Sequence, residues 1–422
     1  AAELEGEFGE LNGWNAEPEA ASLLNALQIP VSKHQKLVKE LDDSEKVRVL
    51  LAQALFGDPA IHLLDEPTNH LDVDSILWLE NFLLNFKNTV IVVSHDRHFL
   101  DKVCSHVADV DFQKVSLFSG NYTFWYESSQ LALRLRQDAN KKKEDKIKDL
   151  KAFVQRFSAN ASKSRQASSR KSQLEKITLD DIKPSSRKYP YIVFDTQREL
   201  GREVLFVEGL TKRLDGVLLF ENLSFSMSRG EKIALAGNDV ATTTLLSILS
   251  GEMKADAGEM RWGRTANVGY FPKENDRFFH ASTANNLIEW MKQFSENQDE
   301  NFVRSFLGRM LFSGEEAKKH PSVLSGGEKV RCMVARMMLT DPNALLLDGP
   351  TNHLDLESIT ALNNGLLKFP GSLIVSSHDV QFVDSLVTRV IELAGSKFYD
   401  LHMSYEQYLA DEARMARLGV TH

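Results

Sequence analysis

Residues 324–355 read LSGGEKVRCMVARMMLTDPNALLLDGPTNHLD. The stretch joins a glycine pair, Gly326 and Gly327, to a helical run from Lys329 to Leu339, with Ser325 placed to cap it. A buried apolar strand follows at Ala344 to Leu347 and presents Asp348 at its C-terminal end. Glycines at a helix N-terminus favour an anion, because free N–H groups and the helix dipole point at it. An Asp after a buried strand is where a Mg²⁺ carboxylate sits in phosphate-handling enzymes.

The pattern occurs twice. Residues 41–72 read LDDSEKVRVLLAQALFGDPAIHLLDEPTNHLD, and Leu41 pairs with Leu324, Asp65 with Asp348, Asp72 with Asp355, and His95 with His378. Each pair is 283 positions apart, so one unit is repeated with no net insertion between these landmarks.

These residues resemble the ATP-binding cassette family. LSGGE is similar to its signature, LLDEPTNHLD to its Walker B and D-loop, and SHD (Ser94 to Asp96 and Ser377 to Asp379) to its H-loop. The PTNHLD wording, two cassettes on one chain and a charged linker resemble the ABC-F branch. RFSANASKSRQASSR in that linker and SHDRHFL before it look closest to YbiT-like members. The resemblance implies an α/β fold: tandem ATP-binding cassette (P-loop NTPase-like) domains joined by an α-helical hairpin linker. The expected boundaries are 1–122 for the C-terminal part of the first cassette, 123–200 for a basic hairpin and 201–422 for the second cassette.

Composition agrees with a multidomain soluble chain. Its 422 residues are 42% hydrophobic, no apolar run approaches the length of a membrane span, and the acidic N-terminus is unlike a signal peptide. Cys104 and Cys332 stand far apart and read as buried thiols of a reducing compartment. A cytoplasmic location is the expectation. The net charge of −9 is uneven. Residues 141–176 hold twelve Lys/Arg and four Asp/Glu, a net +8, which leaves −17 for the rest. One basic segment on an acidic body points to a localised polyanion contact.

Along the chain, residues 1–30 read as amphipathic helices. Ile61 to Leu64 and Thr89 to Ser94 read as buried strands, with a helix from Ser75 to Phe86 between them and a closing hairpin near 106–118. Neither Pro nor Gly occurs between Asn121 and Lys183, which favours long helices. Ile147, Leu150, Val154 and Phe157 form a stripe on a first arm of roughly 45 Å, and residues 158–164 read as the turn to a returning arm. The second copy's phosphate loop falls at 237–244. By the repeat offset the first copy's loop would lie about forty residues before Ala1. No GxxxxGK[ST] occurs, so the first cassette reads as incomplete, the C-terminal part of a longer protein or the product of a truncated gene.

In the second copy AGNDVATTTLL is one residue short of the family's phosphate loop. Gly237 remains, Thr242 stands where the Lys belongs, Thr243 follows it, and Val240 resists the positive φ of a phosphate nest. Leu214 lies where the family has an adenine-stacking aromatic. Lys273 replaces the Q-loop glutamine, and Gly349 replaces the Glu that polarises water. Asp348 and His378 are kept. The first copy is the opposite: by resemblance Asp65 holds Mg²⁺, Glu66 is the general base and His95 meets the γ-phosphate, while LDDSE is a damaged signature whose Asp42 and Asp43 read as helix caps.

In the family each ATP lies between one cassette's Walker motifs and the other's signature. One composite site then uses Asp65, Glu66 and His95 with Ser325, Gly326, Gly327, Glu328 and Asp355, and lacks only its Walker A. The other uses Gly237, Thr242, Thr243, Asp348, Gly349 and His378 with LDDSE and is broken on both faces. ATP and Mg²⁺ are the implied cofactors, and this chain by itself is expected to hydrolyse ATP near background. ABC-F linkers reach into the ribosome beside tRNA, so Arg156, Lys163, Arg165, Arg170 and Lys171 are the expected contacts to rRNA or tRNA. Two rival readings stand beside this: a non-hydrolysing pseudo-ATPase module that binds RNA or protein through the hairpin, and a DNA-associated ABC-F protein.

Overall fold

The computed structural model describes residues 5–414, apart from 7, 10, 11, 58, 70, 112, 158–168, 175–186, 281–283 and 412. Two compact units form, one from Ala1–His98 with Lys188–His422 and one from Phe99–Arg187.

The first unit includes the helix Ala16–Ala26 and then the helix Asp43–Leu55. Strand β1 (Ile61–Asp65), the helix Val73–Asn85 and strand β2 (Thr89–Val93) follow. β1 and β2 pair in parallel, with Ile61 opposite Thr89 and Asp65 opposite Val93.

The second unit holds the antiparallel hairpin of β3 (His106–Asp111) and β4 (Lys114–Ser119), then the helix Tyr122–Phe157. That helix has 36 residues, about 54 Å, longer than the sequence estimate. Asn121 caps it by accepting the Phe124 N–H, and the Asp101 carboxylate accepts the Thr123 N–H at 2.7 Å. The Arg187 guanidinium meets Asp109 and lies 4.9 Å from the Trp125 ring centre. Residues 169–174 are helical, and the Arg170 guanidinium lies 3.9 Å from the Phe153 ring centre. A returning arm therefore packs on the first. The expected turn at 158–164, with Lys163, lies outside the described residues, as does Arg165.

The rest of the first unit is a layered cassette. β5 (Glu203–Leu214), β6 (Val217–Ser228) and β8 (Ala257–Trp262) make an antiparallel sheet in the order β6-β5-β8. β7 (Lys232–Gly237), β9 (Val268–Phe271), β10 (Ala344–Asp348), β11 (Ser372–Ser376), β12 (Arg389–Ala394) and β13 (Lys397–Leu401) make a sheet in the order β13-β12-β7-β11-β10-β9. It is parallel except for β12–β13.

This sheet is buried on both faces, as a parallel sheet requires. Leu345, Leu347, Leu373 and Val375 join the helical core, while Ala344, Leu346 and Ile374 join the core shared with β5, β6 and the helix Asp239–Leu249.

The first copy reproduces the strand pairing of the second without its cover. β10 and β11 pair Ala344 with Ser372, the β1–β2 register shifted by 283. Yet Leu63 is 73% exposed where its counterpart Leu346 is at 0%, and Ile91 is 55% exposed where Ile374 is at 0%. The expectation of two buried strands is thus corrected. His62 and Leu64 are buried, but one face of β1–β2 is bare because nothing among the described residues of the first copy corresponds to β5–β7 and the helix Asp239–Leu249. Cys332 is buried as expected, whereas Cys104 is half-buried.

Leu346→Ala is expected to cost about 3 kcal/mol through lost burial and the cavity left behind. Leu63→Ala should stay within about 0.5 kcal/mol. Urea unfolding of both variants measures the contrast; equal costs would mean that the β1–β2 face is covered in solution.

Candidate functional site

Parallel strands deliver their loops to one edge, and both copies use that edge alike. β1 ends in Asp65 and β10 in Asp348, and the next residue turns sharply in each. The Glu66 N–H donates to the Val93 carbonyl at 2.8 Å, and the Gly349 N–H donates to that of Ser376 at 2.8 Å. Glu66 has φ +48° and Gly349 φ +58°, so the turn is left-handed in both copies. Glycine adopts that conformation freely, whereas a side chain costs on the order of 1 kcal/mol there. The first copy thus carries a glutamate where the backbone would prefer glycine. Its carboxylate Oε2 accepts the His95 N–H at 3.2 Å, and Oε1 lies 3.5 Å from His95 Nε2. Burial raises the Glu66 carboxyl above its ordinary value against the lowering influence of His95, and the Asp65 charge adds to the rise. A carboxylate moved toward neutrality beside an imidazole suits a general base.

The second copy holds a different arrangement. After Gly237 (φ +112°) the chain enters the helix Asp239–Leu249 through one residue, Asn238. The side-chain oxygen of Asn238 accepts the N–H groups of Val240 and Ala241 at 2.9 and 3.2 Å. The expected phosphate-loop region is therefore a capped strand-to-helix turn. Asp239 Oδ2 lies 2.7 Å from Lys273 Nζ and 3.2 Å from His378 Nε2. Burial opposes its ionisation, but His378 and then Lys273 hold the Asp239 carboxyl well below the usual carboxylate range. Thr242 is buried and donates its hydroxyl to the Asp239 carbonyl at 3.1 Å. Burial pushes Asp348 up to about 6, against a hydrogen bond from Thr243, and its Oδ2 has no hydrogen-bond partner among the described residues.

The signature segments are helix caps with different openings. Ser325 caps the helix Gly326–Leu339 in a reciprocal box with Glu328, and Asp42 caps Asp43–Leu55 in the same way with Glu45. A Cβ on Gly327 would come 2.8 Å from the His353 carbonyl oxygen, so a side chain there would collide with backbone. Glu328 also binds Lys319 at 2.6 Å. Asp355 caps the helix Leu356–Lys368 through the Ser358 N–H at 2.7 Å, as Asp72 caps Val73–Asn85 through Ser75 at 2.8 Å.

Sequence reasoning missed the contacts between the copies. The Arg97 guanidinium donates to the Leu356 carbonyl at 3.1 Å and meets the Thr360 hydroxyl, while Arg414 pairs with Asp74 at 2.7 Å. The counterparts of Arg97 and Thr360 are Val380 and Leu77, so the Arg97 contact is made once. The signal was present as the basic residue directly after SHD in one copy alone. On the second unit Arg156, Arg170 and Lys171 are exposed.

No cluster of three metal-binding side chains occurs among the described residues. Mg²⁺ at nucleotide sites takes one or two carboxylates plus phosphate oxygens, so the exposed Asp65 at the end of β1 is the right donor for it.

A layered α/β cassette, a second copy of its Asp- and His-bearing strands and an interposed long helix define a tandem ATP-binding cassette protein. Two family profiles described as ABC transporter match residues 108–194 and 220–352. The chain is 62% identical over 411 residues to the ABC transporter ATP-binding protein YkpA of Bacillus subtilis, covering 97% of this chain and 76% of that protein. It is 47% identical to YbiT of Escherichia coli O157:H7, covering 97% and 77%. It is 31% identical to the energy-dependent translational throttle protein EttA of Mycobacterium tuberculosis, covering 99% and 75%. A solved structure titled RNase-L Inhibitor superposes with a TM-score of 0.62 at 20% identity, over 96% of this chain and 72% of that one, a likeness of fold. The chain belongs to the ABC-F family of ATP-binding cassette proteins, in its YbiT-like branch.

Asp348→Asn should stabilise the protein at neutral pH. With its carboxyl raised, the folded state holds the proton longer than the unfolded chain, so stability falls as pH rises from the unfolded value toward about 6. Asparagine removes that loss, worth on the order of 3 kcal/mol above pH about 6 and vanishing near pH about 4. Melting curves across this range check it.

Proposed function

We propose that this chain is a cytoplasmic ABC-F protein that acts on the ribosome under ATP control, with one composite ATP site and one inactive site. The observation that carries the reading is Glu66. It keeps a left-handed backbone and a partner in His95, where the second copy has relaxed to Gly349. Backbone strain retained around a reactive side chain points to a role for it.

In this reading Glu66 accepts the proton of the attacking water, and the imidazole of His95 orients the transferred phosphoryl group. Asp65 would hold Mg²⁺, which when bound neutralises phosphate charge. Ser325 and the N–H groups of Gly326 and Gly327 would supply donors to the γ-phosphate from the other cassette. The exposed basic face of the long helical arm tracks RNA phosphates. The name of EttA supports the translational setting. A phosphate-loop lysine must be supplied, from sequence preceding Ala1 or from another chain, for this site to turn over.

Two measurements test it. The chain as given should release phosphate near background. A protein extended by roughly eighty upstream residues, the length that the repeat offset implies for the rest of the first cassette, should turn over. In that longer protein Glu66→Gln and Ser325→Arg should abolish turnover, while Asp348→Asn should leave it within about twofold. A silent, folded Asp348→Asn beside an active Glu66→Gln would reverse the site assignment.

Changing Lys163, Arg165, Arg170 and Lys171 to Glu should abolish ribosome co-sedimentation, and wild-type binding should weaken steeply with salt. Competition with duplex DNA separates the DNA-associated reading.

A second reading is favoured by the filled turn at Asp239: a pseudo-ATPase that binds RNA or protein through the hairpin. It predicts that the extended protein co-sediments with ribosomes without any turnover.

A further inference from the structure

The second cassette's nucleotide edge is not simply eroded. Three loops meet on one carboxylate. Asp239 follows β7, Lys273 follows β9 and His378 follows β11, and both basic groups contact the same Asp239 oxygen, at 2.7 and 3.2 Å. Beside it Asn238 occupies the N–H groups of Val240 and Ala241, the free donors that a helix N-terminus offers to an anion. Backbone donors and side-chain cations that would converge on a phosphate are thus satisfied by two consecutive side chains of the turn itself.

We propose that Asn238 and Asp239 are a resident substitute for nucleotide phosphate: they fill the anion subsite of the second cassette and tie its three loops together without ligand. Two losses then explain each other. A lysine in the Q-loop position needs an anionic partner, and the shortened turn supplies one. His378 keeps a partner although the γ-phosphate site around it has gone. Asp239, Lys273 and His378 side chains are 42%, 37% and 31% exposed, so a small solvent anion can reach the subsite once Asp239 is removed. The arrangement makes the second cassette self-closed, a fixed partner for the first cassette and not a second sensor of nucleotide.

The inference rests on the reading of this cassette as unable to take nucleotide. That reading fails separately, by a turnover response to Asp348→Asn, because the test here uses no nucleotide. The probe is inorganic phosphate at millimolar concentration against chloride of matched ionic strength, and the readout is the melting temperature of the full chain. Wild type should be indifferent to the anion. Asp239→Ala should melt about 2–4 °C lower in chloride and recover in phosphate. Asp239→Asn, which keeps the shape of the turn and removes only the charge, should behave in the same way. Asp239→Ala combined with Lys273→Ala should show no recovery. The proposal is overturned if phosphate stabilises wild type as much as Asp239→Ala, if both Asp239 variants melt like wild type, or if recovery persists in the double variant.

Discussion

The parallel pairing of β10 with β11, covered on both faces, is the constraint on which this protein depends. Alternate residues of the pair go to different cores, Leu345 and Val375 to the helical side, Leu346 and Ile374 to the antiparallel-sheet side. With both faces apolar, polar groups can leave the strands only at their ends. Asp348 and the His378 loop therefore emerge together at the carboxyl edge. The same logic places Asp65 and His95 at the end of β1 and β2, although there only one face is covered. Register is set by strand pairing and is the same in both copies, whereas burial differs between them.

Repetition turns each site into a control for the other. The backbone at 66 and 349 takes the same left-handed turn and makes the same hydrogen bond to the neighbouring strand, so the difference lies in the side chain alone. Where the turn carries Glu66, an imidazole is held against it. Where it carries Gly349, the surrounding charges have been rearranged about Asp239. The helix caps also correspond: Ser325 and Asp42 both close their helices with a reciprocal capping box, and in the second copy the absence of a side chain at Gly327 leaves room for the His353 carbonyl.

Charge is divided as sharply. The long helix of the second unit is continuous because no Pro or Gly interrupts it. Most of its basic residues are exposed, while Leu150 is buried and Ile147 and Val154 are half-buried. Arg170 serves two ends, covering Phe153 with its flat guanidinium while keeping its charge exposed.

The sequence by itself determined the repeat, the strands that carry Asp65 and Asp348, the helix caps at Ser325 and Asp42, the β3–β4 hairpin and the long basic helix. Each rests on local pattern: periodicity, capping chemistry, absence of helix breakers. It also showed that the turn after β7 could not form a phosphate nest, since Val240 and the missing glycines are local facts. Tertiary structure alone decided the rest. Apolar residues at 61, 63, 91 and 93 read as core because hydrophobicity does not say whether a covering layer is present. Lys273 and His378 lie 34 and 139 positions from Asp239, so no spacing could join them. The contact from Arg97 to Thr360 spans 263 positions and has no symmetric twin to announce it. Pairings of this kind depend on which loop ends the folded sheet brings to one edge, and that is a property of strand order, not of neighbouring residues.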